Sequence, residues 1–259
     1  MSVRASLLPV GTPRSAFGKL LKNETKIAWR VPIGLILGVA VPVLALVIFG
    51  SVPGMNKPAK SLGGLSYFSV YFPILIVFVL AVLSLISLPT HLATYREQGI
   101  LRRISTTPVP PAWMLAAQLV INLALAALAL AILVAAGTAG FGLGAPKAPG
   151  EFTLALLLTI AATFAIGLWV SAIARSAGAA GAIGQLFLYP LLFFAGLWLP
   201  RQRMAPVLKN ISDWTPLGAS VRALQDSMLG ISPSAQPFLV LTAWAAIFAF
   251  LALRYFRWE

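Results

Sequence analysis

The sequence predicts an all-α integral membrane protein. Six transmembrane helices are expected, with an N-terminal amphipathic interfacial helix, a short cytoplasmic helix and an extracellular helical cap before the last span. Three observations carry this expectation. Only 10% of the 259 residues are charged, against about a quarter in soluble domains. Six apolar runs, 31–50, 67–89, 112–140, 152–174, 183–199 and 237–253, each approach or exceed the roughly 20 residues a helix needs to cross hydrocarbon. None of these runs contains Asp, Glu, Lys or Arg. Unbroken apolar runs, rather than alternating ones, mean helices, because a backbone in lipid must satisfy its own hydrogen bonds.

Ahead of the first run, residues 15–30 read as an amphipathic helix. Phe17, Leu20, Leu21, Ile27 and Ala28 share one side, and Lys19, Lys22, Lys26 and Arg30 occupy the other. A basic-faced helix next to a span lies in the interface plane. Glu24 falls within the apolar side, where it either snorkels to solvent or pairs with Arg102 or Arg103 further along. The first run carries Gly34-x-x-x-Gly38, a small-residue face that allows close helix approach, and Pro42, which predicts a kink.

The connections set the orientation. With the N-terminus inside, most of the 19 Lys and Arg fall on the cytoplasmic side, six of them before the first run: Arg4, Arg14, Lys19, Lys22, Lys26 and Arg30. Arg201, Arg203, Lys209 and Arg222 run against this pattern, because all four gather in the outer segment 200–236. Within that segment, 204–211 has helical apolar spacing. Thr215-Pro216 is a helix start, a capping hydroxyl followed by proline at the first helical position. Leu217, Val221, Leu224 and Met228 then recur at helical spacing, and Gly230 supplies the stop. The middle runs hold a few hydroxyls and amides, among them Ser84, Gln118, Asn122, Thr159 and Thr163. Gln118 and Asn122 lie four apart on one face; such groups either line a polar route or bond to neighbouring helices.

The inventory excludes most chemistry. The formal charge of +13 is spread over the ends of apolar runs, the place of membrane-flanking cations, so the expected partner is a lipid bilayer and not nucleic acid. Without cysteine, disulfides and thiolate sites are absent. His91 is the single histidine, which rules out a two-histidine zinc helix and makes a Ser-His-Asp triad remote. Gly18-Lys19-Leu20 has Leu where a phosphate-binding loop needs Ser or Thr. Ion-coupled carriers place ionisable groups within the membrane, and the apolar runs have none. No catalytic residue, metal site or cofactor is expected in this chain, which has no energy source of its own.

The longest polar interruption before residue 200 is 94–111. Residues 94–104 read as a short charged helix, and Pro108, Pro110 and Pro111 make a stiff link into the third run. Its order, Tyr95-Arg96-Glu97-x-Gly99-x-Leu101-Arg102-Arg103 followed by Thr107-Pro108, closely resembles the loop after the second span in type-2 ABC exporter permeases of the bacterial drug and lipid efflux kind. A second match is Phe193-Phe194-Ala195-Gly196-Leu197-Trp198-Leu199-Pro200, followed by Pro206, Leu208 and 212–216. It resembles the fifth span and outer loop of that family.

This resemblance implies that 94–104 is a coupling helix. Tyr95, Arg96, Glu97, Gly99, Leu101, Arg102 and Arg103 would dock on a separate ABC ATPase subunit, which would hold ATP and Mg. A second permease chain, giving a homodimer, would enclose a central cavity walled by residues 67–88 and 183–199. Phe72, Phe78, Ser84, Asn122, Phe187, Phe193 and Phe194 would mark the substrate pathway. The implied activity is ATP-driven export of an amphipathic or lipophilic substrate across a bacterial cytoplasmic membrane, with both chain termini inside. Export of polysaccharide or lipid-linked glycan, and a non-transporting scaffold that recruits a cytoplasmic partner, are the alternatives.

Overall fold

The computed structural model describes residues 18, 25, 33–52, 54, 57, 66–100, 112–231 and 234–255, with 33–39, 49 and 112 by backbone alone. The interfacial helix expected at 15–30 with Glu24, the three residues Leu101, Arg102 and Arg103, and the proline link at 108–111 lie outside the described residues. Among those described there is no strand. The helices are α1 (Ile33–Ser51), α2 (Tyr67–Val82), α3 (Leu88–Glu97), α4 (Ala112–Phe141), α5 (Pro149–Ile173), α6 (Ala177–Ala195), α7 (Pro206–Trp214), α8 (Pro216–Leu229) and α9 (Ala235–Tyr255). Among the described residues, five helical stretches are long and apolar enough to cross a membrane: Tyr67–Glu97, Trp113–Phe141, Pro149–Ile173, Ala177–Ala195 and Ala235–Tyr255. The protein is therefore an all-α integral membrane protein. α1, 19 residues with Pro42 inside it, packs against α2 and α4 and buries Leu46.

Tyr67–Glu97 is one continuous helical rod of 31 residues, longer than the apolar run at 67–89. It starts at an N-cap, where the Ser66 hydroxyl accepts from the Ser69 amide at 3.1 Å. At 1.5 Å per residue it is about 46 Å long, well beyond a hydrocarbon core of about 30 Å. It is also the most buried of the five stretches, touching α1, α4, α5, α6 and α8.

The rod does not stay α-helical throughout. Leu83–Ser87 forms a π turn between α2 and α3, and Pro89 accounts for it. Proline has no amide hydrogen, and its ring collides with the carbonyl four residues back, here that of Leu85. Widening the turn relieves the collision, and the Leu88 amide bonds to the Leu83 carbonyl. Two carbonyls thereby lose their α-helical donors: Ser84, because the Leu88 amide is taken, and Leu85, because its donor would be Pro89.

Both freed carbonyls meet glycines on neighbouring helices. A Cβ on Gly167 of α5 would overlap the Ser84 carbonyl oxygen, and one on Gly184 of α6 would overlap that of Leu85. Only hydrogen at these two positions lets α5 and α6 close against the π turn. Within lipid there is no hydrophobic force pressing helices together, so such close van der Waals fits are what hold a bundle.

α8, within the outer helical segment, is packed into the bundle. Leu217, Ala219, Val221, Ala223 and Leu224 are all buried, and α8 packs against α2, α5, α6 and α9. It is inserted between the spans. Its start is as the sequence indicates: Thr215 is the N-cap, its hydroxyl accepting from the Gly218 amide at 3.2 Å, and Pro216 is the first residue. Gly230 ends the helix at φ +74°, a left-handed conformation that glycine adopts without a Cβ penalty. The buried polar residues flanking the Leu217–Leu224 face have their hydrogen bonds satisfied. Ser220 and Ser227 donate to the Pro216 and Ala223 carbonyls of the same helix, both at 2.7 Å, and Gln225 donates to the Val70 carbonyl at 2.8 Å.

The π turn gives a direct test. Gly167→Ala and Gly184→Ala should each lower the thermal stability of the detergent-purified protein, by about 1–3 kcal/mol as expected for overpacking. Gly178→Ala, where a Cβ meets nothing within 4 Å, should leave the melting temperature unchanged or raise it. Equal melting temperatures for all three variants would mean that the close approach is not a stability determinant.

Candidate functional site

The stretch singled out by the sequence lies at the far end of the long rod. Thr94, Tyr95, Arg96 and Glu97 are not the beginning of a separate short helix. They are the last turn of α3, continuous with the span that begins at Tyr67. The helix stops at Gln98–Gly99, where the Gln98 amide bonds to the Thr94 carbonyl at 3.0 Å and the Gly99 amide to that of Arg96 at 3.1 Å. Gly99 has φ +64°, which explains glycine at this position. Ile100 is helical again. The break therefore falls inside the segment that the sequence presents as one helix, and a push beyond Gly99 arrives at the foot of the most buried span.

The four described residues of this motif have different surroundings. Tyr95 is buried, packed with Met114 and Ile100, and its hydroxyl accepts from Gln118 Nε2 at 3.2 Å. The Gln118 carbonyl in turn accepts from Asn122 Nδ2 at 2.9 Å. The Gln118–Tyr95 bond joins α3 to α4, whereas the Asn122 bond stays within α4. Arg96 is half-buried and turns inward, its Nη1 donating to the Ser171 carbonyl at 3.2 Å and the Ala174 carbonyl at 2.8 Å. Those carbonyls belong to the last turn of α5 and the residue after it. A cation there satisfies orphan acceptors and complements the negative end of the helix dipole. The sequence offers Arg96 as charge for a partner surface; the structure uses it to tie α3 to the α5–α6 junction. Glu97 and Gln98 are exposed.

The residues expected along a substrate pathway are dispersed. Phe72, Ser84 and Asn122 are 2%, 0% and 2% exposed. Phe72 stacks on Phe68 with centroids 6.2 Å apart, Ser84 donates to the Ala81 carbonyl at 3.3 Å, and Asn122 is held as described. All three are core residues of a single chain. Phe78 is half-buried. Phe187 meets Trp169 edge-on at 5.6 Å, and Phe193 meets Phe194 edge-on at 5.5 Å. Phe187, Phe193 and Phe194 keep partial exposure on α6, so of the seven only these and Phe78 present any surface.

Two features are missed by sequence reasoning. One is the glycine pair at the π turn, signalled only by Pro89 within an apolar run. The other is an ionic hub at the opposite end, where Asp213 of α7 binds Arg201 through both carboxylate oxygens, the second contact at 2.9 Å, and also Arg222 of α8 at 3.3 Å. Arg222 also lies 3.9 Å from Asp226. Burial pushes the Asp226 carboxyl above its ordinary pKa, opposed by the charges of Arg222 and Arg201. Only six residues of the whole chain are acidic, and two of them in one short segment rich in arginine was the available signal.

The tie between α3 and α5 is testable by hydrogen–deuterium exchange. Arg96→Gln should raise exchange across the α5–α6 junction around Ala174, whereas Glu97→Ala, one residue along but exposed, should not. Identical protection in both variants would remove Arg96 from this role.

A family model described as ABC-2 type transporter matches residues 15–229, from the basic N-terminal segment through the whole of α8. Among curated proteins, none matches the chain. The match spans most of the sequence and takes in the long rod, the motif at its foot and the inserted helix. The chain belongs to the ABC-2 type transporter family, as a membrane-spanning permease component of an ABC transporter.

Proposed function

We propose that the chain is the membrane half of an ATP-driven exporter. A separate ABC ATPase subunit binds ATP and Mg and docks on the segment from Tyr95 to Arg103. Two permease chains form a homodimer, and the substrate is amphipathic or lipophilic, a drug or a lipid, moved out of a bacterial cell across its cytoplasmic membrane. Both termini lie on the cytoplasmic side with the docking segment.

The observation that supports this reading most is the single 31-residue rod from Tyr67 to Glu97. Force applied just past Gly99 enters the most buried span without an intervening flexible loop. Closure of the ATPases tilts α3. Arg96 carries the end of α5 with it, through the two carbonyls it holds, and the widened turn at Leu83–Ser87 takes up the bend. Glu97 and Gln98, exposed at the foot of the rod, meet the ATPase surface together with Arg102 and Arg103. The central cavity lies between the two chains, where α6 presents Phe187, Phe193 and Phe194. An apolar lining of this kind suits a lipophilic cargo.

Affinity purification in mild detergent, with an ATPase assay on the eluate, tests the coupling. A stoichiometric ATPase subunit is expected, and replacing residues 95–103 by a Gly/Ser linker should abolish its retention. Glu97→Ala should lower stimulated ATP turnover without affecting membrane insertion. An eluate free of ATPase even after cross-linking would reject the exporter reading.

Orientation is tested separately. The chain has no cysteine, so a single introduced thiol reports cleanly. Ser212 is unsuitable, being 1% exposed and bonded to the Phe194 carbonyl at 2.6 Å. Asn210 on α7 is exposed, and Asn210→Cys should react with an impermeant maleimide on intact cells. Labelling that requires permeabilisation would invert the topology.

A further inference from the structure

Two recesses share a wall at the end of the bundle built by α7, α8 and the start of α9. One is a polar pocket of about 350 Å3 lined by Arg201, Gln202, Lys209, Arg222, Gln225 and Asp226. The other is an almost wholly apolar groove of about 420 Å3 between Trp214 and the α9 residues Leu239, Ala243, Trp244 and Ile247. The wall is the hydrogen bond from Arg222 Nη1 to Gln236 Oε1, at 3.3 Å, because Arg222 lines the pocket and Gln236 lines the groove. Trp214 follows directly on Asp213, the carboxylate that holds both arginines, and Trp244 Nε1 donates to the Trp214 carbonyl at 3.0 Å. The two recesses are thus fixed relative to each other by the same few contacts.

Their chemistry is complementary to one kind of molecule. Three cations, Arg201, Lys209 and Arg222, stand against two carboxylates, Asp213 and Asp226. Asp213 engages both arginines and Asp226 faces Arg222. Among the described residues Lys209 has no carboxylate within ion-pair distance, so the pocket keeps one unbalanced positive charge. Gln202 Oε1, also on the pocket, is buried with no donor among the described residues and is free to accept from a hydroxyl. Beside this lies an apolar groove whose edges are open, with Trp214 65%, Leu239 67% and Ile247 54% exposed. Exposed Trp198 and Trp214 at the same end mark the head-group level of a bilayer.

We propose that this junction binds one anionic phospholipid. The phosphate sits with Lys209 and the two arginines, a head-group hydroxyl donates to Gln202, and one acyl chain lies along the groove between Trp214 and Trp244. Basic pockets at the membrane surface recognise phosphate head groups in this way, and the groove adds a contact that only a molecule with a chain can use. The site also accounts for three of the four cations gathered in 200–236 against the general charge pattern of the sequence. It lies at the end of the bundle away from the coupling segment and is independent of what the transporter carries.

Native mass spectrometry of the full-length protein in detergent, titrated with dioleoylphosphatidylglycerol, tests this. One lipid should bind saturably. Lys209→Ala should weaken it about five-fold, the effect of removing one cation from a lipid phosphate, and Leu239→Trp, which fills the groove, should weaken it as well. Lys209 has no ion pair to lose, so that variant does not endanger the fold. Arg175→Ala, an equal charge loss at the opposite end, should bind as wild type. Dioleoylphosphatidylcholine should bind more weakly, and glycerol 3-phosphate should not compete. Unchanged affinity in Lys209→Ala, or equal binding of the two lipids, would overturn the proposal by showing that charge plays no part. Effective competition by glycerol 3-phosphate would overturn it in favour of a free-anion site. Disulfide cross-linking through Ile247→Cys with no lipid bound would overturn it by placing a second copy of the chain in the groove.

Discussion

The bundle depends on two backbone carbonyls that have lost their helical donors. Pro89 removes one amide and displaces another, and the turn before it opens to leave the Ser84 and Leu85 oxygens facing outward. A neighbour bearing any side chain at that level would be held away. Gly167 and Gly184 are what allow α5 and α6 to approach from either side, so the positions of both helices follow from one proline in a third. Where α5 ends then follows as well, and with it the location of the carbonyls that Arg96 reaches. The local defect in the central rod thus sets the geometry of the end where Tyr95, Arg96 and Glu97 lie.

The buried hydroxyls of α5 are satisfied by their own helix. Thr159, Thr163 and Ser171 donate to the carbonyls of Ala155, Thr159 and Gly167, four residues back, at 2.7–2.8 Å. Such bonds remove the cost of burying a hydroxyl in hydrocarbon and leave none of them pointing into a channel. The contacts that cross between elements include Gln118 to Tyr95, Gln225 to the Val70 carbonyl, Arg96 to α5, Ser212 to the Phe194 carbonyl, Trp244 to the Trp214 carbonyl and the Asp213 hub. They lie toward the ends of the bundle, where charge is tolerated, and they fix how the ends are assembled while small residues fix the middle.

The class of the protein was legible because an uncharged apolar run of span length suits little besides a bilayer. The caps of α8 were legible because Thr215-Pro216 and Gly230 act locally. The extent of the central rod was not. Thr90, His91, Thr94 and Arg96 make its last turns look separate from the apolar run, yet Leu92, Ala93 and Tyr95 continue the buried face among them. The insertion of α8 was half visible. Its apolar side reads from the spacing, but Ala219 and Ala223 on the other side look unremarkable until neighbouring helices are seen to fill the space. The burial of Phe72, Ser84 and Asn122 was not legible, since sequence reports polarity and size whereas burial is decided by helices distant along the chain.

The insertion of α8 has a consequence for biosynthesis. Val70, Leu75 and their neighbours on α2 emerge from the ribosome long before Pro216–Leu229, yet α8 packs against α2, α5 and α6 in the finished bundle. Until it arrives, the earlier spans surround an unfilled gap, and the Val70 carbonyl lacks the amide of Gln225. The native arrangement can close only after nearly the whole chain has been made, through contacts of high sequence separation that form slowly. The nascent spans therefore pass through an incomplete state in the membrane, and that interval is where an insertase or quality-control protease would act on this protein.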